Sequence, residues 1–217
     1  IRDSRMKILI VSGFLGAGKT TFIKRLARNV DQRFAILENE YGAAGIDGAR
    51  LGQNRQGTQK NVWEMTEQCI CCIGKKDFAA SVLTIANVVD PEYLIVEPTG
   101  VGSLARIIEN LRQIEYERIQ LLSPVTIVDV YSYRRYMAEY PELYQDQIRS
   151  ADTIIVSKTE ACQAEEKQRI QKFLQEINSQ AKIITDYAST MTREDYQSLL
   201  LGGRYEKEVQ DLSLIHI

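Results

Sequence analysis

An eight-residue glycine-rich run near the start of the chain constrains the fold more than any other feature. The run Gly13-Phe14-Leu15-Gly16-Ala17-Gly18-Lys19-Thr20 fits the pattern GxxxxGK[ST], whose backbone N–H groups cradle phosphates. Residues 6–12 before it are mostly apolar, as in a buried parallel strand, and residues 21–28 after it have apolar side chains on one helical face. A strand that turns through glycines into a helix aims several N–H groups at one point, with the helix dipole behind them. The sequence therefore predicts a nucleoside triphosphate site.

The side chains of this phosphate loop, residues 13–20, have distinct expected roles. Lys19 reaches the β- and γ-phosphates, and the Thr20 hydroxyl is a ligand of Mg²⁺. The other residues expected against the phosphates are Gly13, Gly16, Ala17, Gly18 and Thr21.

Short apolar stretches alternate with helical patterns along the rest of the chain. Predicted strands are residues 34–38, 93–97, 125–129, 153–157 and 182–185, and predicted helices are residues 78–88, 104–112, 165–178 and 192–200. The alternation predicts an α/β fold of the P-loop nucleoside triphosphatase type, a mainly parallel twisted sheet with helices on both faces. Ligands bind such sheets at the carboxyl ends of the strands. Residues 41–58 break the alternation, which predicts a functional or mobile segment.

Length and composition narrow the class of protein. The 217 residues are expected to form a single domain, residues 1–217. The net charge of −2 gives no basic field for nucleic acid or an anionic membrane. Apolar runs of membrane-spanning length and a signal-peptide core are both missing from the sequence, so we expect a cytoplasmic protein. Four cysteines in that compartment favour thiols or metal ligands over disulfides.

A second polar signal, Glu97-Pro98-Thr99-Gly100, comes directly after an apolar run. An acidic residue at the end of a strand beside the phosphate loop can organise Mg²⁺, directly or through water. Gly100 can bring its N–H close to a γ-phosphate because it has no Cβ. Lys19, Thr20 and Glu97 are therefore the predicted catalytic residues, with Thr20 and Glu97 also holding magnesium.

The run Ser157-Lys158-Thr159-Glu160 follows a predicted strand and suggests base recognition. Guanine-binding proteins place Asn/Ser-Lys-x-Asp here, with the lysine stem along the base and the carboxylate accepting hydrogen bonds from the N1–H and the exocyclic amine. Glu160 is one methylene longer than the usual aspartate. We predict that Ser157, Lys158 and Glu160 read guanine. The alternative is a solvated helix start, where the helix dipole favours Glu160.

Three cysteines within four residues, Cys69-Ile70-Cys71-Cys72, form another strong signal. Thiolates are soft ligands that suit Zn²⁺, Cu⁺ or a similar ion. Three ligands leave one position open, which suits metal transfer, and Glu40, Glu64, Glu67 or water could fill it. We predict a transition-metal site at Cys69, Cys71, Cys72 and Glu40. A redox switch and inert buried thiols are the alternatives.

Together these motifs resemble the CobW family of GTPases, relatives of the nickel-insertion GTPases HypB and UreG. The resemblance adds the run Glu38-Asn39-Glu40-Tyr41-Gly42 and the pair Val128-Asp129 to the motifs above, and the CxCC run between the phosphate loop and ExxG is its distinguishing mark. Gln68 stands where the family usually has glycine, and Ala43 where it often has glutamate. The family's usual C-terminal domain is expected to be absent.

The resemblance implies a GTP-hydrolysing metallochaperone. It would couple its nucleotide state to the binding and transfer of a divalent metal, zinc or cobalt for example, to a client metalloprotein or a cofactor-biosynthesis enzyme. The expected cofactors are GTP, Mg²⁺ and Zn²⁺ or another divalent transition metal. A water-positioning residue does not stand out, so a partner, such as a second protomer in a nucleotide-dependent homodimer, would complete the site. The other functions open at this point are a P-loop kinase using ATP, and a redox or metal sensor with structural nucleotide.

Overall fold

The computed structural model describes residues 5–32, 34–38, 62–66, 78–98, 102–116, 118–202 and 205–207. The strands in these residues are β1 (Met6–Gly13), β2 (Phe34–Glu38), β3 (Val62–Thr66), β4 (Tyr93–Glu97), β5 (Ile119–Leu121), β6 (Val125–Asp129), β7 (Thr153–Ser157) and β8 (Lys182–Ile184). The helices are α1 (Lys19–Asn29), α2 (Phe78–Val88), α3 (Leu104–Gln113), α4 (Tyr133–Glu139), α5 (Pro141–Ser150), α6 (Ala164–Ile177), α7 (Tyr187–Thr190) and α8 (Arg193–Leu201).

The eight described strands form one sheet. Seven strands lie in the order β3-β2-β4-β1-β6-β7-β8, and β5 pairs with β1 beside them. All pairings between these strands are parallel. The strand order changes direction at β1: β4 and β2 lie on one side of it, and β6 and β7 lie on the other. The carboxyl ends of β4, β1, β6 and β7 therefore meet at one edge of the sheet.

Burial on both faces explains why β1 is almost wholly apolar. Successive side chains of a strand point to opposite faces. Leu9 and Val11 belong to a core that includes α1 and α8 residues, whereas Ile8 and Ile10 belong to one that includes α2 and α3 residues. These four side chains are fully buried, and each such burial stabilises the fold by about 1.5–3 kcal/mol.

A third cluster fills the second face beneath α4, α5 and α6. It joins Val128 of β6 and Val156 of β7 to Ile148 and Ile170 from the covering helices, and it includes Phe14 of the phosphate loop. The loop is thus anchored in the core by its own side chain.

The predicted fold class is confirmed, and each predicted strand and helix is present with bounds that differ by at most two residues. The sequence analysis missed β3, β5, α4, α5 and α7. The strand β5 has three residues and α7 has four, too short to give a period. The helices α4 and α5 are rich in tyrosine and polar residues, and Pro141 at the start of α5 separates them. The predicted irregular segment, residues 41–58, lies outside the described residues.

Among the helices that the structure describes, none combines the length and the apolar character needed to cross a membrane.

Candidate functional site

The phosphate loop has a backbone path that requires glycine at defined positions. Gly13, Gly16 and Gly18 have φ angles of +150°, +74° and +100°. A Cβ on Gly13 would lie 2.6 Å from the backbone oxygen of Ile127 in β6, whereas a Cβ on Gly16 would meet nothing within 4 Å. The loop therefore leaves β1 in close contact with β6 and opens outward at Gly16.

The helix α1 begins at this loop with an uncapped end. Its N-cap residue is Gly18, which offers no side-chain cap, and the first turn contains no acidic residue. The first N–H groups of a helix carry partial positive charge and bind anions when no side chain occupies them. The start of α1 is thus suited to phosphate oxygens.

Lys19 folds back over the loop instead of extending into solvent. Its Nζ donates a hydrogen bond of 2.7 Å to the backbone oxygen of Gly13, and the residue is 8% exposed. Burial lowers the pKa of Lys19 below its ordinary value, and the negative charge of Glu97 partly offsets that effect. The site therefore contains a cation held in a poorly solvated position.

Thr20, in the first turn of α1, meets Glu97 at the end of the neighbouring strand β4. The Thr20 hydroxyl donates to the Glu97 carboxylate, with oxygen–oxygen distances of 3.2 and 3.4 Å. A hydroxyl and a carboxylate are oxygen donors of the kind that Mg²⁺ prefers. Thr99 and Gly100, which complete the ExxG run, lie outside the described residues.

The predicted base motif is fastened to the phosphate loop by hydrogen bonds to two loop carbonyls. The buried Ser157 hydroxyl donates to the Ala17 oxygen at 2.5 Å. Lys158 Nζ donates to the Gly16 oxygen at 2.7 Å. Lys158 has a φ of +62°, a left-handed conformation that is unusual for lysine. Glu160 is exposed at the same edge of the sheet.

Asp129, at the end of β6, is a site residue to which the sequence motifs assigned no role. Its nearly buried carboxylate accepts a 2.6 Å hydrogen bond from Lys158 Nζ, a 2.8 Å bond from the Tyr131 N–H and a 3.2 Å bond from the Ser132 hydroxyl. The available signal was its position, since an acidic residue that ends a buried strand in such a sheet lies at the ligand edge.

Aromatic side chains support the loop from below. The Phe14 ring lies 4.8 Å from the Tyr136 ring and 4.9 Å from the Tyr144 ring, measured between centroids. The Tyr136 hydroxyl also donates to the Leu15 oxygen at 3.0 Å. These tyrosines belong to α4 and α5, so their contribution could not be read from the loop motif.

The predicted transition-metal ligands Cys69, Cys71, Cys72 and Glu40 lie outside the described residues. Cys162 is half-buried and packs against the cluster beneath α4, α5 and α6.

A model of the nucleotide-binding domain of CobW, HypB and UreG matches residues 7–185. The chain belongs to the CobW/HypB/UreG family. The predicted family is thereby confirmed, and the matched range contains every motif described above.

Curated relatives from this family are named as zinc chaperones. Zinc chaperone YeiR of Escherichia coli (strain K12) is 30% identical over 178 residues, covering 81% of this chain and 53% of YeiR. Zinc chaperone CobW of Pseudomonas aeruginosa is 26% identical over 211 residues, covering 83% of this chain and 56% of that protein. The chain thus spans about half the length of the curated relatives it matches.

Solved structures of CobW/HypB/UreG proteins share the fold. The crystal structure of Zn(II)-bound YjiA GTPase from Escherichia coli has a TM-score of 0.67 at 21% identity, covering 95% of this chain and 65% of YjiA. The hydrogenase maturation factor HypB from Archaeoglobus fulgidus has a TM-score of 0.58 at 18% identity, covering 91% of this chain and 89% of HypB.

Alanine substitutions at Gly13 and Gly16 should lower the stability of the protein by different amounts. Gly13→Ala should destabilise the protein by about 2–4 kcal/mol, because the new methyl group meets the Ile127 oxygen and the φ angle is strained. Gly16→Ala has open space and should lose only about 1–2 kcal/mol to its left-handed backbone. Urea unfolding of both variants measures the difference. Equal unfolding midpoints for Gly13→Ala and the unsubstituted protein would contradict this account of the loop.

Proposed function

We propose that this chain binds GTP·Mg²⁺ at the carboxyl edge of its sheet, hydrolyses the GTP, and couples the nucleotide state to a thiolate-bound divalent metal. The observation that carries the proposal is the convergence on one loop of three elements: Lys19, the Thr20–Glu97 pair, and the Ser157–Lys158 pair. Each element fits a different part of the ligand: the phosphates, the magnesium ion and the base.

The phosphates would bind against the uncapped start of α1. Lys19 Nζ then exchanges the Gly13 oxygen for β- and γ-phosphate oxygens, a short movement because Gly13 is itself part of the loop. A cation in a poorly solvated site interacts strongly with charge that develops on these oxygens. Lys19 thus supplies transition-state stabilisation. Gly16, Ala17, Gly18 and Thr21 are the other proposed phosphate contacts.

Magnesium fits between Thr20 and Glu97. The two side chains already approach within hydrogen-bond distance, so both would be available to hold the ion, with Glu97 acting directly or through water. When bound, Mg²⁺ neutralises charge shared by the β- and γ-phosphates. Gly100, three residues beyond Glu97, is the proposed contact for the γ-phosphate.

Guanine would lie along Lys158 and face Glu160. The bonds from Lys158 to Gly16 and Asp129 orient its stem, and the Ser157 bond to Ala17 fixes the base motif relative to the phosphates. Exposed Glu160 is free of the core and can accept from the N1–H and exocyclic amine of guanine.

The register of the sheet supports a metal site next to this nucleotide. Glu38 of β2 is in register with Thr66 of β3 on one side and with Glu97 of β4 on the other. At about 4.8 Å per strand spacing, Thr66 lies about 10 Å from Glu97. Cys69 follows Thr66 by three residues, within about 10 Å of extended chain, and Glu40 follows Glu38 by two. The start of the CxCC run would therefore be within about 20 Å of Glu97 even with the chain fully extended, a reach that supports the proposed coupling.

The names of the relatives support zinc as the first candidate metal. Delivery to a client metalloprotein or a cofactor pathway, a cytoplasmic location, and a homodimer that completes the hydrolytic site belong to the same proposal. Nickel is the metal of the HypB structure from Helicobacter pylori, so it should be included in metal screens.

Removing Lys19 tests the nucleotide part of the proposal. Lys19→Ala should lower the GTP hydrolysis rate by at least about 100-fold, because one preorganised charge on the reacting phosphates is lost. Phosphate release is the measurement. Lys24→Ala is the matched control, since Lys24 is an exposed lysine on the same helix. Equal rates in the two variants would rule out the assigned role of Lys19.

Replacing Cys69, Cys71 and Cys72 with serine tests the metal part. The unsubstituted protein should bind one divalent ion per chain and release protons as the thiols ionise. A cobalt titration should give thiolate charge-transfer absorption that the triple variant lacks and that Cys162→Ser retains. Absorption that survives in the triple variant, or none in the unsubstituted protein, argues against a CxCC site.

A further inference from the structure

A pair of hydrogen bonds joins the base motif to the loop that follows β8. Thr159, between Lys158 and Glu160, donates from its hydroxyl to the Asp186 carboxylate at 2.6 Å. The backbone N–H of Asp186 donates back to the same hydroxyl at 3.1 Å. Thr159 is 1% exposed, whereas the Asp186 side chain is 27% exposed, so this reciprocal contact lies at the margin of the core.

Asp186 is itself held in an uncommon conformation. Its φ of +53° and ψ of +34° are left-handed, which costs a non-glycine residue energy unless the surroundings enforce it. Lys167 Nζ lies 2.9 Å from each carboxylate oxygen. The hydrogen bond from Thr159 and the charge of Lys167 hold the pKa of Asp186 below its ordinary value, so the acceptor is ionised at neutral pH.

These contacts fix the backbone next to Glu160, the residue proposed to read the base. Lys158 is also left-handed, and the Thr159 backbone oxygen accepts a 3.0 Å hydrogen bond from the Cys162 N–H. Thr159, the residue before Glu160, is therefore held both at its side chain and at its carbonyl oxygen. Glu160 contributes an exposed side chain from a fixed backbone position.

We propose that Asp186 is a positioning residue for base selectivity: by holding Thr159 it directs the Glu160 carboxylate toward the N1–H and amine edge of a guanine base. The inference rests on the proposed GTP site. It adds that selectivity depends on a residue 26 positions after Glu160 that need not touch the nucleotide itself. The Glu160 carboxylate must point at the donors of the base, because hydrogen bonds weaken steeply when they are misaligned.

The test compares GTP with ITP, which lacks the exocyclic amine. The unsubstituted protein should bind GTP about 10-fold more tightly than ITP by calorimetry, and Glu160→Ala should bring that ratio to about 1. Asp186→Ala should lower the ratio to about 3 or less, while the ITP affinity changes less than about 2-fold. Asp186→Asn should keep most of the preference, because asparagine accepts from Thr159 and tolerates the left-handed conformation.

Thr159→Val is the second variant and removes the hydroxyl while keeping the side-chain shape. Like Asp186→Ala, it should lower the GTP/ITP ratio. The matched control is Asp195→Ala, which breaks another aspartate–threonine pair, the capping box of Thr192 and Asp195 at the start of α8. That variant should keep the full ratio.

The outcomes separate this inference from the proposed function. If the unsubstituted protein prefers GTP but both Asp186→Ala and Thr159→Val retain its ratio, the positioning role is wrong and the GTP site stands. An equal loss of ratio in Asp195→Ala would reduce the effect to general destabilisation and also overturn the role. If the unsubstituted protein binds ITP as tightly as GTP, both the base-recognition proposal and this inference fail.

Discussion

The parallel order of the sheet is the constraint on which the rest of the site depends. Because β1 lies between β4 and β6, the phosphate loop emerges next to Glu97 on one side and Asp129 on the other. Close contact between Gly13 and the Ile127 oxygen brings the loop against β6, and the Phe14 ring anchors it in the core below. A different strand order would leave the same motifs far apart.

Two lysines place positive charge against the phosphate loop. Lys19 and Lys158 each donate to a loop carbonyl, so both cations stabilise the backbone conformation of the phosphate loop. They differ in environment: Lys19 is nearly buried, whereas the Lys158 side chain is half exposed. The ion pair between Lys158 and Asp129 is therefore worth little stability, about 1 kcal/mol or less, and its main effect is to orient the lysine stem. Lys19, by contrast, holds its charge in a poorly solvated position, where it would act strongly on the phosphates of the proposed nucleotide.

Strong local patterns in the sequence predicted most of this arrangement. The strand–glycine–helix pattern predicted β1 and α1, and the carboxyl-end rule predicted that Glu97 and Ser157 would lie at one edge. The strand β3 was missed because Val62-Trp63-Glu64-Met65-Thr66 lacks a clear period and has no obvious partner until β2 is seen beside it. The Thr159–Asp186 and Tyr136–Leu15 contacts join residues 27 and 121 positions apart, and no local pattern contains such information.

The central claim is that the bound nucleotide, GTP or GDP, controls the affinity of the protein for its metal. The adjacency of β3, β2 and β4 supports a physical route, since Glu97 of β4 lies two strands from Thr66 of β3, three residues before Cys69 in the sequence. Linkage makes the coupling reciprocal: a tenfold effect of GTP on metal affinity equals a tenfold effect of metal on GTP affinity, about 1.4 kcal/mol. The most direct measurement is zinc affinity by competition with a chromophoric chelator, once with a non-hydrolysable GTP analogue and once with GDP. The account predicts affinities that differ by about tenfold or more. Values that agree within about twofold would contradict it, leaving two independent sites on one domain.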